Sequence, residues 1–418
     1  MKYITILVLL LFLTSGILPG QDLTADSHCA TVEYNRNLEE INPGIKAKRE
    51  SIEKEIQQFI AVKSGDSVGI VVIPTVVHVL WNTPEQNIPD DQVWSQIFVL
   101  NDDFRRRNAD TVLTPVMFKP AAADCKIEFC LAKRAPGDTA ATYGIHRVYT
   151  DVTEFGIDNQ VKNPYEGGCR AWDAKQYLNI WVCNLAGNFL GYAQYPGGPD
   201  STDGVVVDYK CFGSVGDLNP HYNKGRTATH EIGHWLDLWH IWGDDFGSCD
   251  GTDYVDDTPN AADANYYCPS HPHTTNCNTT GEMFMNYMDY CDDVCFNIFT
   301  NGQRDRMMAS ISATRPELLT SEGCVPYDAI EEVNQTLTLN LFPNPVTQEF
   351  TLQANLPHPE TFTITIIDII GNEVFKHITA KQTQLNLPVP VSNLNDGMYF
   401  LKVRAGNLHG TAKIFVLH

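Results

Sequence analysis

The chain has 418 residues and a formal net charge of −22 at pH 7, a balance that argues against nucleic acid as a ligand. An acidic surface suits solubility and can supply oxygen ligands to calcium. Twelve cysteines favour disulfides over thiols in an exported chain; zinc-binding use of them would call for CxxC pairs, and the sequence has none.

The first residues predict export. Met1-Lys2 precedes an apolar run from Ile4 to Leu18, and Leu18-Pro19-Gly20 then Gln21 marks a cleavage region, so residues 1–20 read as a signal peptide. The run is shorter than the roughly 20 apolar residues of a membrane anchor. No later segment qualifies: Ile364 to Ile370 comes closest, but it contains Asp368 and alternates like a strand. Cys29 follows soon after the signal without adjoining it, which excludes a lipoprotein cysteine. From Arg49 to Ala61 the spacing predicts a helix with Ile52, Ile56, Phe59 and Ile60 on one face. Tyr177 to Val182 reads as a central strand.

The segment with the most chemistry is His230-Glu231-Ile232-Gly233-His234. Residues four apart on a helix lie one turn above each other, so His230 and His234 can present two imidazole nitrogens to one metal with Glu231 beside it. His240 is too far along to share that face. It reaches the metal only if the helix ends near Leu236 and the chain folds back through Asp237. A left-handed turn costs an ordinary side chain about 1–2 kcal/mol, and Asp is among the residues that tolerate it, because its carboxylate hydrogen-bonds nearby backbone. No Glu occurs between Glu231 and Glu282 to serve as third ligand instead. Downstream, Asp244, Asp245, Asp250, Asp253, Asp256 and Asp257 crowd a loop with Gly243, Gly247 and Gly251. Oxygen ligands at this density suit calcium, with Asp253, Asp256 and Asp257 as candidates; the spacing is not that of an EF-hand, and a solvated acidic loop is the alternative.

After Cys324 the composition changes to cysteine-free alternating β-formers, a second domain. Strands are expected in Leu337–Pro345, Phe350–Leu352, Thr361–Ile367, Met398–Val403 and Lys413–Leu417, forming a small antiparallel sandwich.

Asn286-Tyr287-Met288-Asp289-Tyr290 looks like the Met-turn of metzincin proteases, and from about Val68 to Cys324 the chain resembles the pappalysin family of metzincins. The resemblance implies an α+β catalytic domain, a twisted mixed sheet with active-site and backing helices. It implies a zinc endopeptidase with His230, His234 and His240 as ligands and Glu231 as general base. Tyr290 would hydrogen-bond the oxyanion, and Met288 would form an apolar floor. It further suggests disulfides Cys249–Cys277 and Cys268–Cys295, and calcium in the acidic loop. Cys29 would occupy the open zinc position of a latent precursor. Gly204 to Asp208 is expected to be the edge strand that pairs with substrate. Asp292 and Asp293 would wall the pocket for a basic residue after the scissile bond.

Phe342-Pro343-Asn344-Pro345, Gly397 to Val403 and a Lys-containing last strand resemble the C-terminal sorting domain of type IX secretion. That implies passage through the periplasm of a Gram-negative bacterium, with the secretion machinery as partner and protein substrates as targets. The expected organisation is therefore signal peptide 1–20, propeptide 21–64, catalytic domain 65–325, linker 326–336 and sorting domain 337–418. The competing reading is a surface adhesin on a metzincin scaffold, with Asp237 marking a decayed site.

Overall fold

The computed structural model describes residues 29–62, 69–138, 140–244, 247–274, 277, 281–326, 337–368, 372–406 and 408–418. The expected signal peptide, the start of the propeptide, Asp245 and residues 327–336 of the linker lie outside them. The chain divides into two units, Met1–Tyr327 and Asp328–His418. Among the described residues no helix is long and apolar enough to cross a membrane.

The first unit opens with two helices, α1 (Thr31–Ile41) and α2 (Gly44–Val62), ahead of strand β1 (Val71–Trp81) and helix α3 (Asp90–Phe104). Then come β2 (Ile127–Leu131), β3 (Ile145–Tyr149), β4 (Leu178–Cys183), β5 (Gly191–Ala193) and β6 (Val205–Asp208). Helix α4 (Arg226–Trp235), the short strands β7 (Tyr266–Tyr267) and β8 (Tyr290–Cys291) and helix α5 (Asn301–Thr314) complete it. The near-continuous apolar runs of β1 and β4 are buried along almost their whole length, as strands with both faces covered must be. β1 lies parallel to β2 along its first half, to β3 along its second, and to β4 on its other edge. β6 follows β4 in parallel, and β5 closes the sheet antiparallel to β6.

On one face of this mixed sheet α3 and α4 bury Val93, Ile97, Leu100, Ile232 and Trp235 against Val77, Val79 and Ile180. On the other, Tyr34 and Leu38 of α1 pack with Leu80, Trp181, Tyr192 and Val206. Ile52 and Ile56 of α2 are buried against Ala309 of α5, with Phe59 and Ile60 packed beside them. The α+β class is as expected, with one correction to its detail. Gly204–Asp208 is not an edge, because β6 has β4 on one side and β5 on the other; the edge belongs to β5.

Three disulfides form: Cys249–Cys277, Cys268–Cys295 and Cys130–Cys324. The expectation that disulfides would dominate holds for only half the cysteines. Cys29, Cys125, Cys169, Cys183, Cys211 and Cys291 remain thiols. Cys125, Cys211 and Cys291 are packed within the main apolar core, where a thiol serves as a small hydrophobe.

In the second unit β9 (Asn340–Phe342), β10 (Glu349–Ile367), β11 (Glu373–Pro390), β12 (Gly397–Ala405) and β13 (Leu408–Val416) make one curled antiparallel sheet in the order β11-β10-β12-β13, with β9 also on β10. Register shifts between Asn355 and Glu360 and beyond Thr361 interrupt the long β10–β11 hairpin, and residues from both halves, Leu352 and Ile364 among them, share one core. β11 had no counterpart in the sequence reading. Most of its side chains are exposed.

Candidate metal centre and active site

Helix α4 ends at Trp235, and what ends it is visible in the backbone. Asp237 N–H donates to the His234 carbonyl (2.8 Å) and Leu238 N–H to that of Gly233 (2.9 Å), while Asp237 takes φ +73°. This is the left-handed terminus that glycine usually supplies. Here a buried guanidinium supports it. Arg306 Nε donates to the Asp237 carbonyl (2.7 Å) and Nη2 to its carboxylate (2.6 Å), and the same Nη2 reaches Glu53 of α2 (2.6 Å). Arg306 is wholly shielded from solvent. The turn sends the chain back so that His240 meets the two helical histidines.

Each imidazole is oriented from behind. His230 Nδ1–H donates to the Tyr287 carbonyl (2.7 Å), His234 Nδ1–H to that of Leu238 (2.8 Å) and His240 Nδ1–H to the Asp244 carboxylate (2.6 Å). Carbonyl and carboxylate oxygens only accept, so in each neutral ring the proton sits on Nδ1 and the lone pair on Nε2. The three Nε2 atoms converge: His234 lies 3.0 Å from His230 and 3.1 Å from His240. Lone pairs at that separation repel unless a cation lies between them. Met288 packs under the helix at Gly233, where a side chain would collide with its sulfur.

Cys29 joins this cluster. Its Sγ and the histidine nitrogens all lie within 4.8 Å of one another, and Sγ is 3.5 Å from Glu231 Oε2. Burial and the Glu231 carboxylate both push the thiol up, so a thiolate here needs a compensating cation. The Thr31 hydroxyl donates to Glu231 (2.7 Å) and accepts from Ala193 N–H of β5 (2.8 Å). Ala30 N–H donates to the Gly191 carbonyl (3.0 Å), and the Asn35 amide spans the Ala193 carbonyl and Tyr195 N–H (2.9 Å each). Gly191 must be small, since a Cβ would meet Glu231 Cγ and the Val206 carbonyl. Burial raises the Glu231 carboxyl to about 8, opposed by the hydrogen bonds from Thr31 and Cys29. The Tyr290 hydroxyl donates to the Cys29 carbonyl at 3.4 Å.

Comparison with known proteins decides the family. A family profile described as pregnancy-associated plasma protein-A matches residues 160–312, and one for secretion system C-terminal sorting domains matches residues 340–417. An extracellular metalloprotease of Arthroderma benhamiae is 31% identical over 261 residues, covering 60% of this chain and 82% of its own. The structure of mature mirolysin from Tannerella forsythia, in complex with a cleaved peptide, matches with TM-score 0.59 and 50% identity, over 61% of this chain and 97% of that one. A promirolysin mutant from the same organism matches with TM-score 0.65 and 45% identity, over 70% and 97%.

The chain belongs to the pappalysin family of metalloproteases. It is a metalloendopeptidase, secreted or held at the cell surface, with a type IX sorting tail. The pappalysin family implies a zinc cofactor, and three convergent Nε2 lone pairs fit one.

The remaining sequence candidates separate. Asp292 and Asp293 were expected to share one pocket, and they diverge. Asp292 bonds His221 Nδ1 (2.8 Å) on an open groove. Asp293 is buried at the start of α4, where one oxygen accepts from Lys224 N–H (2.7 Å) and Arg226 N–H (3.2 Å). Its other oxygen is buried without a hydrogen-bond partner, and the residue lines a cavity shared with Thr227, His230, Glu231 and Tyr290. Asp253, Asp256 and Asp257 do not converge on one point among the described residues. Asp253 accepts from the Thr258 hydroxyl (2.6 Å) and Val255 N–H (3.1 Å), Asp257 from Gly302 N–H (3.0 Å). Asp244, grouped with them in the sequence, is the partner of His240; the i, i+4 spacing was the available signal. Thr31, Asn35 and Arg306 escaped the sequence reading altogether.

Arg306→Met leaves the Asp237 carboxylate buried beside an apolar side chain. It is expected to cost about 3–5 kcal/mol of unfolding free energy and to draw His240 away from the other two imidazoles, which would lower the zinc content if the three hold the ion. Chemical denaturation and zinc content of the uncut chain check this, and wild-type values for both would refute the assignment.

Proposed function

We propose that this pappalysin holds one zinc ion on His230, His234 and His240 and hydrolyses peptide bonds with Glu231 as general base. The observation that carries the reading is the set of three Nδ1 atoms donating to fixed acceptors, which leaves three Nε2 lone pairs facing one another beside a carboxylate. Zinc bound there would lower the pKa of water and polarise the scissile carbonyl. Glu231 takes the proton of the attacking water and returns it to the leaving amine. Tyr290 donates to the developing oxyanion; its hydroxyl already reaches a backbone carbonyl lying in the cleft, that of Cys29. Glu231→Ala is expected to keep stoichiometric zinc while losing nearly all proteolysis, since the base is not a ligand. Activity retained with full zinc would overturn the mechanism.

Residues 21–64 are the propeptide in this reading, and latency has three parts. Cys29 takes the fourth metal position, Thr31 occupies the general base, and Ala30, Thr31 and Asn35 use the hydrogen-bonding groups of β5 that an extended substrate would need. The substrate strand is then β5. An uncut Cys29→Ala precursor should be active or cleave itself. One as silent as wild type would leave the blockage to residues 30–63 and dismiss the cysteine.

Specificity for a basic residue after the scissile bond, Arg over Lys, rests on Asp293. Its second oxygen is buried without a hydrogen-bond partner and the residue lines the cavity beside His230 and Glu231, while Arg226, which lines the same cavity, is matched by Asp110 at 2.7 Å and Asp103 at 3.5 Å. Burial raises Asp293 to about 6, so the carboxylate is present above that pH and is lost by protonation below it. The preference for Arg over a neutral residue should therefore fall as pH drops through about 6. Asp293→Asn should reduce it roughly 10- to 100-fold, the value of a charge-assisted hydrogen bond of about 1.5–3 kcal/mol. Peptides differing only at that position read both effects, and an unchanged preference in the variant would remove Asp293 from the pocket.

Two finer points complete the proposal. The sorting tail favours a route through the periplasm of a Gram-negative bacterium, with the type IX machinery as partner. Structural calcium in the acidic loop has narrower support: Asp257 Oδ1 is buried without a hydrogen-bond partner.

A further inference from the structure

We propose that His78, His146 and Cys169 form a second, structural metal site, selective for a thiophilic divalent ion such as zinc. It lies on the sheet face away from α4. Val77 and Val79 of β1 point into the core shared with Ile232, whereas the His78 ring stacks on Trp181 in the opposite cluster, at 5.3 Å between centroids.

The backbone brings the three ligands together. His78 and His146 are register partners across the parallel pair β1–β3. Cys169 is held over them by its own main chain: its N–H donates to the Val161 carbonyl (2.8 Å) and its carbonyl accepts from Trp181 Nε1–H (2.8 Å). The donor atoms make a near-equilateral triangle, with Cys169 Sγ 3.4 Å from His78 Nδ1 and 3.3 Å from His146 Nδ1, and the two nitrogens 3.4 Å apart. Ligands about 2.0–2.1 Å (nitrogen) and 2.3 Å (sulfur) from a tetrahedral zinc lie roughly 3.3–3.6 Å from one another.

The tautomer of His78 follows from its neighbours. Asn179 accepts at Oδ1 from Trp172 N–H (2.7 Å) and donates from Nδ2 to the Trp172 carbonyl (3.1 Å), which fixes the orientation of its amide. Its Oδ1 therefore accepts the Nε2–H of His78 (3.0 Å), and the His78 lone pair is on Nδ1, facing the sulfur and the second histidine. Metal-binding histidines are characteristically oriented by such an outer hydrogen bond. Without a metal the thiol can donate to the Arg170 carbonyl at 3.6 Å and His146 to that lone pair; a cation would instead take a lone pair from each of the three ligands at once, at the separations the triangle already has. Binding releases the Cys169 thiol proton to solvent. His146 is exposed and His78 and Cys169 are buried, so water supplies the fourth ligand from the open side. The site would pin the segment containing Asn159 and Lys162, which contacts Tyr34 of α1 (2.6 and 3.0 Å), to the central strand.

The test uses the full chain carrying Cys29→Ala and Glu231→Ala, which removes the other cysteine near a histidine cluster and prevents self-digestion. After chelation it is titrated with Co2+. Two equivalents should bind, with a near-ultraviolet thiolate-to-cobalt charge-transfer band. Cys169→Ser should abolish the band and one equivalent, and His146→Ala, at an exposed position, should lose the same equivalent while the catalytic histidines keep theirs as a sign of correct folding. One equivalent in the parent, or a band that survives Cys169→Ser, would overturn the proposal and leave a thiol hydrogen-bonded to imidazole.

Discussion

The contact on which the catalytic centre depends is the one between Arg306 and Asp237. Two of the three converging imidazoles come from the rigid spacing of one helix, but the third joins them only because the chain reverses within a few residues, and that reversal places a non-glycine residue at φ +73°. Glycine would adopt the turn without steric strain but lose more backbone freedom on folding. Asp carries the strain and gains a carboxylate at 2.6 Å from a buried guanidinium that also holds the turn's carbonyl. The departure from glycine is thus compensated locally, and it gives no reason to regard the site as decayed. Arg306 is in turn carried by α5, whose capping box joins Thr300 and Gln303. The Gln303 amide exchanges two hydrogen bonds with Asn286 (2.9 and 3.0 Å), and Asn286 Oδ1 accepts from Met288 N–H (2.9 Å). One backing helix therefore sets both the turn that delivers His240 and the segment that lies beneath the histidines.

The same guanidinium ties the metal centre to the N-terminal helices. Glu53 of α2 reaches it at 2.6 Å, and hydrogen bonding and charge from Arg306 hold the Glu53 carboxyl below its ordinary range despite partial burial. Two separate anchors thus keep the N-terminal segment in place. One is this ion pair with the apolar contact of Ile52 and Ile56 behind it; the other is the hydrogen bonding of residues 30–35 to β5. A segment held at both ends resists release by local fraying, because opening one anchor leaves the other bound.

What the sequence made legible was whatever depends on short spacings. Histidines four apart, a methionine between tyrosines and a buried apolar run for β4 each carry their meaning within a few residues. Contacts between distant positions have no such local trace. Arg306 is an ordinary surface-type residue in a helix until the fold buries it, and Thr31 is significant only because β5 and Glu231 lie against it. The edge-strand error has the same origin: Val205–Asp208 reads as a strand from composition, but strand order is a tertiary fact, and the Gly-Tyr-Ala of β5 is too short to announce an edge. β11 was missed for another reason: its first half is mostly exposed with no regular apolar alternation, and the alternation of Leu385, Leu387 and Val389 that marks it as a strand is confined to its last residues.

The Asp293 carboxylate shows how closely placement and the recognition proposed for it are joined. Asp293 accepts two backbone N–H groups at the start of α4, where the helix dipole favours a negative charge, and only its second oxygen remains for a ligand. Burial works against ionisation and the N–H groups work for it, which keeps the group titratable near neutrality rather than deeply ionised. Because the same side chain caps the helix that presents His230 and His234, losing it altogether would disturb those two histidines along with the cavity beside them. An amide in its place can still accept from both N–H groups while giving up the charge. Helix capping and the substrate recognition proposed for Asp293 are therefore separable at this position by chemistry.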